Sequence, residues 1–561
     1  MKSGNLFIVF IILFAIISAT SAIVLDLTIS NSYQRAIAAG FIADFAKHGL
    51  WHAHSFGEIK DAFINGHEHY KLFSGLADWQ PLQLMLLTVA FFLFGISKFG
   101  MIIVPLAVSV LALVYLYRLV LAMYDHKTAL AAAIITGIST FFFYESAAPL
   151  LENGIALFSI ACIYYSGNYL NRNDPCSFYL AALSLGLGFL YHLQMMFILP
   201  ALAIMFLAKV DLKKFFTTKQ NYRMIAIALG IFLLVMIPFI LREIVLVPEG
   251  ISTFESRMAT RIKYFSAADA HLPGFVTAYD FEFENELPIA KRNLIINRYQ
   301  INYLQKGAMV FSSLFFHWIL VPFILLGILC FRKSKQQKWW NSFNTHEGLS
   351  LFFVITTILV FTFQGLLPRY LLPASIFLFI FAARGIFTLP KKAIVPAIVL
   401  VLLVIGAQTG HFLYKISQND HIQSMQHDYD GTAQYMLEHT PGEFTVITTR
   451  VYQMAFSALK KDESRRMYIE MAPFVKAQFL AMLDGNFSTP PTIEGNERVS
   501  YSTTRPKVAY VVVHERLETG ALRDIADYNL LDLLNNYPNA TLVQTLDSRF
   551  PNSRTWIYAI S

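Results

Sequence analysis

The residue of this chain best placed to do chemistry is a lone carboxylate, Glu152, in the segment 146–158, SAAPLLENGIALF. One apolar helix is predicted to end before Glu152, and the next begins directly after it. A charged side chain at a membrane boundary is costly to hold near hydrocarbon, so it marks a candidate functional site. A carboxylate in a short hydrated loop between two helices is the alternative interpretation.

A second candidate is Arg369, which lies in the segment 367–373, LPRYLLP, directly before a predicted apolar helix. A guanidinium group matches the oxygens of a phosphate in geometry and charge, so Arg369 is suited to phosphate binding. The alternative is an arginine that extends its charged end to a membrane surface. The hydrophilic segment 242–308 adds three clustered cations beside two aromatic residues, which form either an amphipathic flap over a lipid headgroup or a solvated charged face. These cations are Arg257, Arg261 and Lys263.

The first long hydrophilic segment, 25–80, contains two His-x-His pairs that are candidate metal ligands. Such pairs bind zinc or another divalent ion when carboxylates complete the site. The two histidines of a pair share a face on a strand but not on a helix. Their spacing matches no known closed site, which favours histidines of a hydrated loop, and a dependence on divalent metal stays open. The four residues are His52, His54, His67 and His69.

The elements that position these residues follow from the composition. The chain has 561 residues, of which 56% are hydrophobic and only 14% charged, and this indicates a polytopic α-helical membrane protein. The net charge of +7 resides largely in short loops, which excludes a nucleic-acid footprint. The three cysteines lie in or beside apolar segments and predict no disulfide framework.

Apolar runs long enough to span a bilayer predict about eleven transmembrane helices. The apolar run 81–96 either crosses the membrane or lies at its surface. Lys and Arg residues of short loops are normally cytoplasmic, and those of this chain fall on the same side as Lys2 only if 81–96 does not cross. We therefore expect an interfacial or re-entrant helix there and a cytoplasmic N-terminus. The predicted spans are 6–24, 101–123, 129–147, 154–170, 178–192, 194–208, 224–241, 309–331, 349–367, 370–387 and 393–415.

This topology places 25–80, 242–308 and the C-terminal tail on the outer face. We predict two domains, a transmembrane domain at 1–415 and a soluble extracytoplasmic α/β domain at 416–561, whose size is normal for a domain. The tail contains no Gly-rich phosphate loop, HExxH or GxSxG motif, so an accessory role is expected. Its predicted strands are 444–448, 508–513, 542–546 and 556–560, and its predicted helices include 432–438 and 522–535.

Several short motifs follow one another in a fixed order along residues 1–420. They are Trp79-Gln80-Pro81-Leu82, the Phe-Gly ending of 91–95, the alanines 131–133 with the aromatic run 141–144, the outer-turn segment 151–156, the Gly-rich 186–192 and the Arg-Tyr-x-x-Pro of 369–373. This layout resembles the GT-C polyprenyl-phosphate-sugar glycosyltransferases. Within them, it is most similar to the branch that includes protein O-mannosyltransferases and lipid A aminoarabinose transferases.

The resemblance implies an enzyme whose first outer loop and second outer turn each supply an acidic residue. Glu152 takes the second position, and Asp26 is the candidate for the first, with Asp44 in reserve. Asp26 lies seven residues before Tyr33, farther than relatives usually place this acid. Donor-phosphate binding is assigned to Arg369, His192, Arg257, Arg261 and Lys263, where His192 replaces a lysine of many relatives, and the acceptor or donor pocket to Tyr33, Trp79 and Tyr370.

The implied function is transfer of a sugar from a polyprenyl-phosphate donor to a lipid, glycan or protein acceptor on the extracytoplasmic face. No cofactor is required, a divalent metal is an open option, and a bacterial inner membrane with a periplasmic C-terminal domain is expected. Two alternatives remain. One is a non-catalytic assembly or binding protein on a GT-C scaffold, and the other is a lipid-linked sugar transporter, which would call for repeats and intramembrane charge.

Overall fold

A computed structural model provides the structure. It describes residues 3–25, 81–147, 152–211, 217–246, 317–329, 345–364, 371–417, 428–448, 467–471, 476–484, 507–516, 530–547 and 553–561, with single residues at 39, 40, 43, 215, 454, 457 and 460.

Thirteen helices make up the described part of the apolar region. They are α1 Ser3–Leu25, α2 Pro81–Phe94, α3 Lys98–Met123, α4 His126–Ile138, α5 Thr140–Ala147, α6 Glu152–Arg172, α7 Pro175–Tyr191, α8 Ile198–Lys209, α9 Lys219–Leu246, α10 Val321–Leu329, α11 Thr345–Gln364, α12 Leu372–Phe387 and α13 Lys391–Ser417. Short 3₁₀ turns at Leu193–Phe197 and Trp318–Leu320 precede α8 and α10.

Side chains that cap the first turn explain where several of these helices begin. The Asp125 carboxylate accepts hydrogen bonds from the amides of Lys127 and Thr128 at the start of α4. Asp174 does the same for α7, whose first residue is Pro175. The hydroxyl of Ser177 also donates to Asp174, and this bond is the main reason that the pKa of the Asp174 carboxyl lies below its ordinary value. Such caps satisfy amides that have no partner within the helix.

Helices α1, α3, α4 and α5 form one packed group. Phe7 near the start of α1 stacks on Tyr117 near the end of α3, with ring centroids 4.0 Å apart, so α1 and α3 are antiparallel. Ser18 near the end of α1 hydrogen-bonds Ser146 of α5. The segment between α1 and α3 therefore begins and ends at the same end of the bundle, which agrees with the expectation that α2 makes no net crossing.

The predicted span 129–147 is broken rather than continuous. Helices α4 and α5 meet at Ser139 and are bent by 70°. Thr409 of α13 donates to the carbonyl of Ile138 at 2.8 Å and hydrogen-bonds Thr140 at 3.0 Å. A hydroxyl from a neighbouring helix thus satisfies a backbone group that the break exposes, as apolar surroundings require.

The described helices differ in length relative to a bilayer. Four are long and apolar enough to cross alone, and the bent pair α4 and α5 makes a fifth span if counted as one. The four are Gly4–Ile23, Lys98–Met123, Lys219–Ile240 and Lys391–Tyr414. Other apolar helices are shorter, so the count of about eleven spans stays a prediction.

The tail folds into a five-stranded sheet with helices on both faces. The strands are β1 Phe444–Thr448, β2 Met467–Met471, β3 Val508–Arg516, β4 Ala540–Asp547 and β5 Ser553–Ile560, in the order β2-β1-β3-β5-β4. Strands β1, β2 and β3 are parallel, and β5 runs antiparallel to both β3 and β4. The tail helices are α14 Tyr429–His439, α15 Lys476–Leu483 and α16 Leu530–Asn535.

The two faces of this sheet have separate apolar contacts. Val446 and Val512 pack on the side of Tyr429 and Met436 of α14. Ile447, Val511 and Val513 belong to a second cluster with Phe479 of α15 and Leu534 of α16. Alternate residues of a strand point to opposite faces, so the strands are buried on both sides. The described part of the tail is therefore a three-layer α/β/α arrangement.

Candidate active site

Glu152 is the first residue of α6 and not a residue of an exposed turn. Only 1% of its surface is exposed. A negative charge in the first turn of a helix is favoured by the positive end of the helix dipole. The sequence predicted an acidic residue at this helix entry, and the structure adds that the carboxylate is withdrawn from bulk water, where electrostatic interactions are stronger than in solution.

Asn153 fastens the first turn of α6 to two other helices. Its Nδ2 donates to Ser109 Oγ of α3 at 2.6 Å and to the carbonyl of Phe142 of α5 at 3.1 Å. Ser109 donates its own hydrogen to the carbonyl of Pro105 at 2.7 Å, so its oxygen is free to accept from Asn153. The residue that follows Glu152 is thus held by two buried bonds, which fix the position of the carboxylate-bearing turn.

Gly154, in the first turn of α6, permits the close approach of α6 and the end of α7. A Cβ on Gly154 would lie 2.0 Å from Cε1 of the Tyr191 ring, so only glycine fits without a shift. Tyr191 is the last residue of α7 and is directly followed by His192. This contact brings Glu152 and His192, two of the residues selected from the sequence, to neighbouring positions at one end of the bundle.

His192 itself has a local role in the turn after α7. Its Nδ1 accepts a hydrogen bond from the amide of Gln194 at 3.1 Å, which caps the 3₁₀ turn. With Nδ1 as an acceptor, the proton of a neutral imidazole lies on Nε2. His192 is partly exposed at this end of the bundle.

We predict that the contact at Gly154 is intolerant of a side chain. The Gly154→Ala variant should lower the thermal unfolding temperature of the purified protein, because overpacking a close helix contact costs about 1–3 kcal/mol. Gly230→Ala is the matched control, since nothing lies within 4 Å of a Cβ at that helical position and alanine is the better helix former. Equal unfolding temperatures for the two variants would contradict the close packing of α6 on Tyr191.

A second buried carboxylate, Glu145, was not selected from the sequence. It lies in α5 with 1% of its surface exposed, one turn after Phe142, whose carbonyl accepts from Asn153. The two carboxylates therefore flank the same short connection between α5 and α6. The signal was present, because Glu145 is an acidic residue inside a run interpreted as membrane-spanning, and such residues are functional candidates by default.

A buried contact between a histidine and a glutamine was also not predicted from the sequence. His317 is buried before α10, and its Nδ1 hydrogen-bonds Oε1 of Gln408 in α13. Gln408 precedes Thr409, the residue that binds the break at Ile138. The two partners are 91 residues apart, so no local motif indicates their contact. The bond gives the buried His317 ring a polar partner, and the pair joins the start of α10 to α13 near the bend.

Most other residues selected from the sequence lie outside the described part of the chain. They are Asp26, Tyr33, Asp44, His52, His54, His67, His69, Trp79, Arg257, Arg261, Lys263, Arg369 and Tyr370. Within the described residues, no group of three or more His, Cys, Asp or Glu side chains is arranged to hold a metal ion. The described part of the site is therefore Glu152 and His192, with Glu145 and Asn153 beside them.

One bent pair of apolar helices, a buried acidic residue at a helix entry and a helical bundle followed by an α/β tail describe a membrane protein, and its fold is shared with solved structures of GT-C glycosyltransferases. The structure of ArnT from Cupriavidus metallidurans bound to undecaprenyl phosphate matches with a TM-score of 0.56, at 9% identity, over 99% of this chain and 98% of that one. The oligosaccharyltransferase of Archaeoglobus fulgidus in its apo form matches with a TM-score of 0.51, at 14% identity, over 98% of this chain and 74% of that one.

A family description comes from sequence comparison. Residues 78–240 match the family model described as dolichyl-phosphate-mannose-protein mannosyltransferase. This range contains Glu152 and His192. No curated protein sequence matches the chain. The resemblance to GT-C proteins expected from the sequence is thus confirmed, at the level of the fold and of this partial family match.

Proposed function

We propose that this protein is an integral-membrane glycosyltransferase that moves a sugar from a polyprenyl-phosphate donor to an acceptor on the extracytoplasmic face. The observation that carries the proposal is the buried carboxylate of Glu152, held at a helix entry beside His192 in a chain that shares its fold with ArnT over nearly its whole length. The ArnT structure contains undecaprenyl phosphate, a lipid of the proposed donor class.

The reaction needs a group that removes a proton from the acceptor. A carboxylate serves as general base if it comes within hydrogen-bond reach of the acceptor hydroxyl or amine. In the proposal, Glu152 and Asp26 are the two catalytic carboxylates, with Asp44 in reserve for Asp26. The tether of Asn153 supports this role for Glu152, because a base must be held in a fixed position to act on a bound acceptor.

The reaction also needs positive groups or hydrogen-bond donors at the departing lipid phosphate. Negative charge builds on that phosphate in the transition state, and preorganised donors lower the barrier. His192 and Arg369 are assigned to the donor phosphate, and the planar fork of Arg369 matches phosphate oxygens. Further cations proposed at the donor are Arg257, Arg261 and Lys263, and the proposed pocket residues are Tyr33, Trp79 and Tyr370.

The acceptor is a lipid, glycan or protein, and the membrane is a bacterial inner membrane with the N-terminus in the cytoplasm. The bias of Lys and Arg toward the short loops on the side of Lys2 supports this orientation. The family description, which names a lipid-phosphate sugar and a protein, is compatible with a protein acceptor.

The test is transfer of radiolabelled sugar from a panel of polyprenyl-phosphate donors by the purified protein in vesicles that contain native membrane extract. We expect a labelled lipid, glycan or protein product with at least one donor and none with vesicles that lack the protein. Binding of a donor without any labelled product would favour the non-catalytic alternative. Movement of the intact donor between leaflets would favour the transporter.

A further inference from the structure

An exposed arginine lies at the end of the bundle opposite to Glu152. Arg118 is on α3, five residues before its last residue Met123, which is about 8 Å at the rise of an α-helix. Helices α3 and α6 run parallel, since Asn153 at the start of α6 contacts Ser109 near the middle of α3, and Tyr165 contacts Tyr115 farther along both. Arg118 is therefore near the other surface of the membrane that α3 spans.

Tyr115 lies beside this arginine, and Tyr164 and Tyr165 of α6 are in ring contact with Tyr115. The guanidinium carbon of Arg118 lies 6.0 Å from the ring centroid of Tyr115. The hydroxyls of Tyr115 and Tyr165 are 3.0 Å apart, and the rings of Tyr164 and Tyr165 meet edge to face at 5.1 Å. All three tyrosines are partly exposed and so lie at the surface of the bundle. Arg118 and Tyr115, Tyr164 and Tyr165 are called the arginine–tyrosine cluster below.

The charge of Arg118 is unbalanced within the described residues. The part of the chain that the structure describes places no carboxylate within ion-pair distance of it. Arg384, at the same end, is different, because it is paired with Glu347 at 2.7 Å and largely covered. A structural arginine in an apolar region is normally paired in this way, whereas an exposed one without a carboxylate is open to an external anion.

We propose that the arginine–tyrosine cluster binds the phosphate of an anionic phospholipid in the leaflet opposite to the candidate active site. The guanidinium supplies two hydrogen bonds and the charge, and the hydroxyl hydrogen that the Tyr115–Tyr165 bond leaves unused supplies a further donor to the phosphodiester oxygens. Tyrosine favours the level of the headgroups, and anionic lipids are attracted by basic residues there. The half-exposed rings contact the glycerol and the upper acyl chains.

The experiment is native mass spectrometry of the purified full chain, with retention of phosphatidylglycerol measured against phosphatidylcholine. The wild type should retain phosphatidylglycerol selectively, and Arg118→Gln should bind it about fivefold more weakly, the effect of one basic residue near an anionic lipid. Tyr165→Phe keeps the charge and removes one hydroxyl, so a smaller loss is expected. This variant tests the cluster even if Arg118→Gln fails to fold.

The matched control is Arg172→Gln. Arg172 is exposed at the same end, at the last residue of α6, but lies near the carboxylate of Asp174. Retention by Arg172→Gln should equal that of the wild type. An equal loss in Arg118→Gln and Arg172→Gln would show a general charge effect and overturn the proposal. Displacement of the lipid by an equal concentration of inorganic phosphate would overturn it as well, since the site would then recognise free phosphate.

Discussion

Glu152→Gln should reduce sugar transfer by about 10²–10⁴-fold, the usual contribution of a general base, while the donor concentration at half-maximal rate changes little. Glutamine keeps the size of the side chain and its place at the start of α6 but cannot take a proton from the acceptor. The measurement is the initial rate of transfer, with the wild type and the variant at equal amounts of folded protein.

A purely structural role of Glu152 makes a different prediction. Loss of a negative charge from a helix N-terminus costs about 0.3–1 kcal/mol, so the unfolding temperature would fall and activity would follow the folded fraction. Glu152→Asp is the second variant, because it keeps the charge and moves the carboxylate by one methylene. Catalysis by Glu152 predicts a large loss of rate for this variant at nearly unchanged stability.

Glu145→Gln provides the comparison at the neighbouring carboxylate. It is as buried as Glu152 and flanks the same connection between α5 and α6. If Glu145→Gln abolishes transfer and Glu152→Gln does not, the base is Glu145 and the assignment of Glu152 is wrong. Asp26→Asn completes the set, and retained activity in that variant would move the first-loop acid to Asp44.

The described helices were largely predictable because apolar periodicity and loop charges carry their signal locally. The predicted span 393–415 corresponds to Lys391–Ser417, and 370–387 to Leu372–Phe387. The bend at Ser139 was not predictable in the same way. Its apolar run is uninterrupted, and the residue that stabilises the break, Thr409, is about 270 positions away.

In the candidate site too, features with a local sequence signal were predicted and contacts between distant residues were not. The helix entry at Glu152 was visible because a lone carboxylate interrupts two apolar runs. The contacts of Asn153 with Ser109 and of His317 with Gln408 were not predictable, because they join distant parts of the chain. Glu145 was not selected because it falls inside the predicted span 129–147 and not in a predicted outer turn.

In the tail, the alternating or fully apolar strands were predicted and one strand was missed. Strand β1 matches the predicted 444–448, and β3, β4 and β5 extend their predicted ranges by a few residues. Strand β2, Met467–Met471, contains a glutamate and lies at an edge of the sheet, where one side has no strand partner within the described residues. A short apolar run that a charged residue interrupts carries a weaker local signal for a strand than a fully apolar run.

Arg384→Gln should be the most destabilising single substitution among the described polar contacts. Arg384 of α12 donates to Glu347 of α11 at 2.7 Å and to the hydroxyl of Tyr124 at 3.0 Å, and its guanidinium also lies 4.8 Å from the Tyr124 ring centroid. Removing one partner of a buried ion pair costs about 3–5 kcal/mol, because the other charge stays uncompensated. Thermal unfolding in detergent measures the loss.

The unfolding temperatures of Arg384→Gln and Glu347→Gln should differ. The Glu347 side chain is 6% exposed and that of Arg384 is 22% exposed, so an uncompensated Glu347 has less access to water than an uncompensated Arg384. Arg384→Gln should therefore unfold at a lower temperature than Glu347→Gln, and the double variant should be more stable than the sum of the two losses implies.

The exposed pair of Lys460 and Asp430 is the control, and Lys460→Gln should cost at most about 1 kcal/mol. If all three single variants lose equally little, the ion pair does not hold α11 and α12 together, and apolar packing alone must do so.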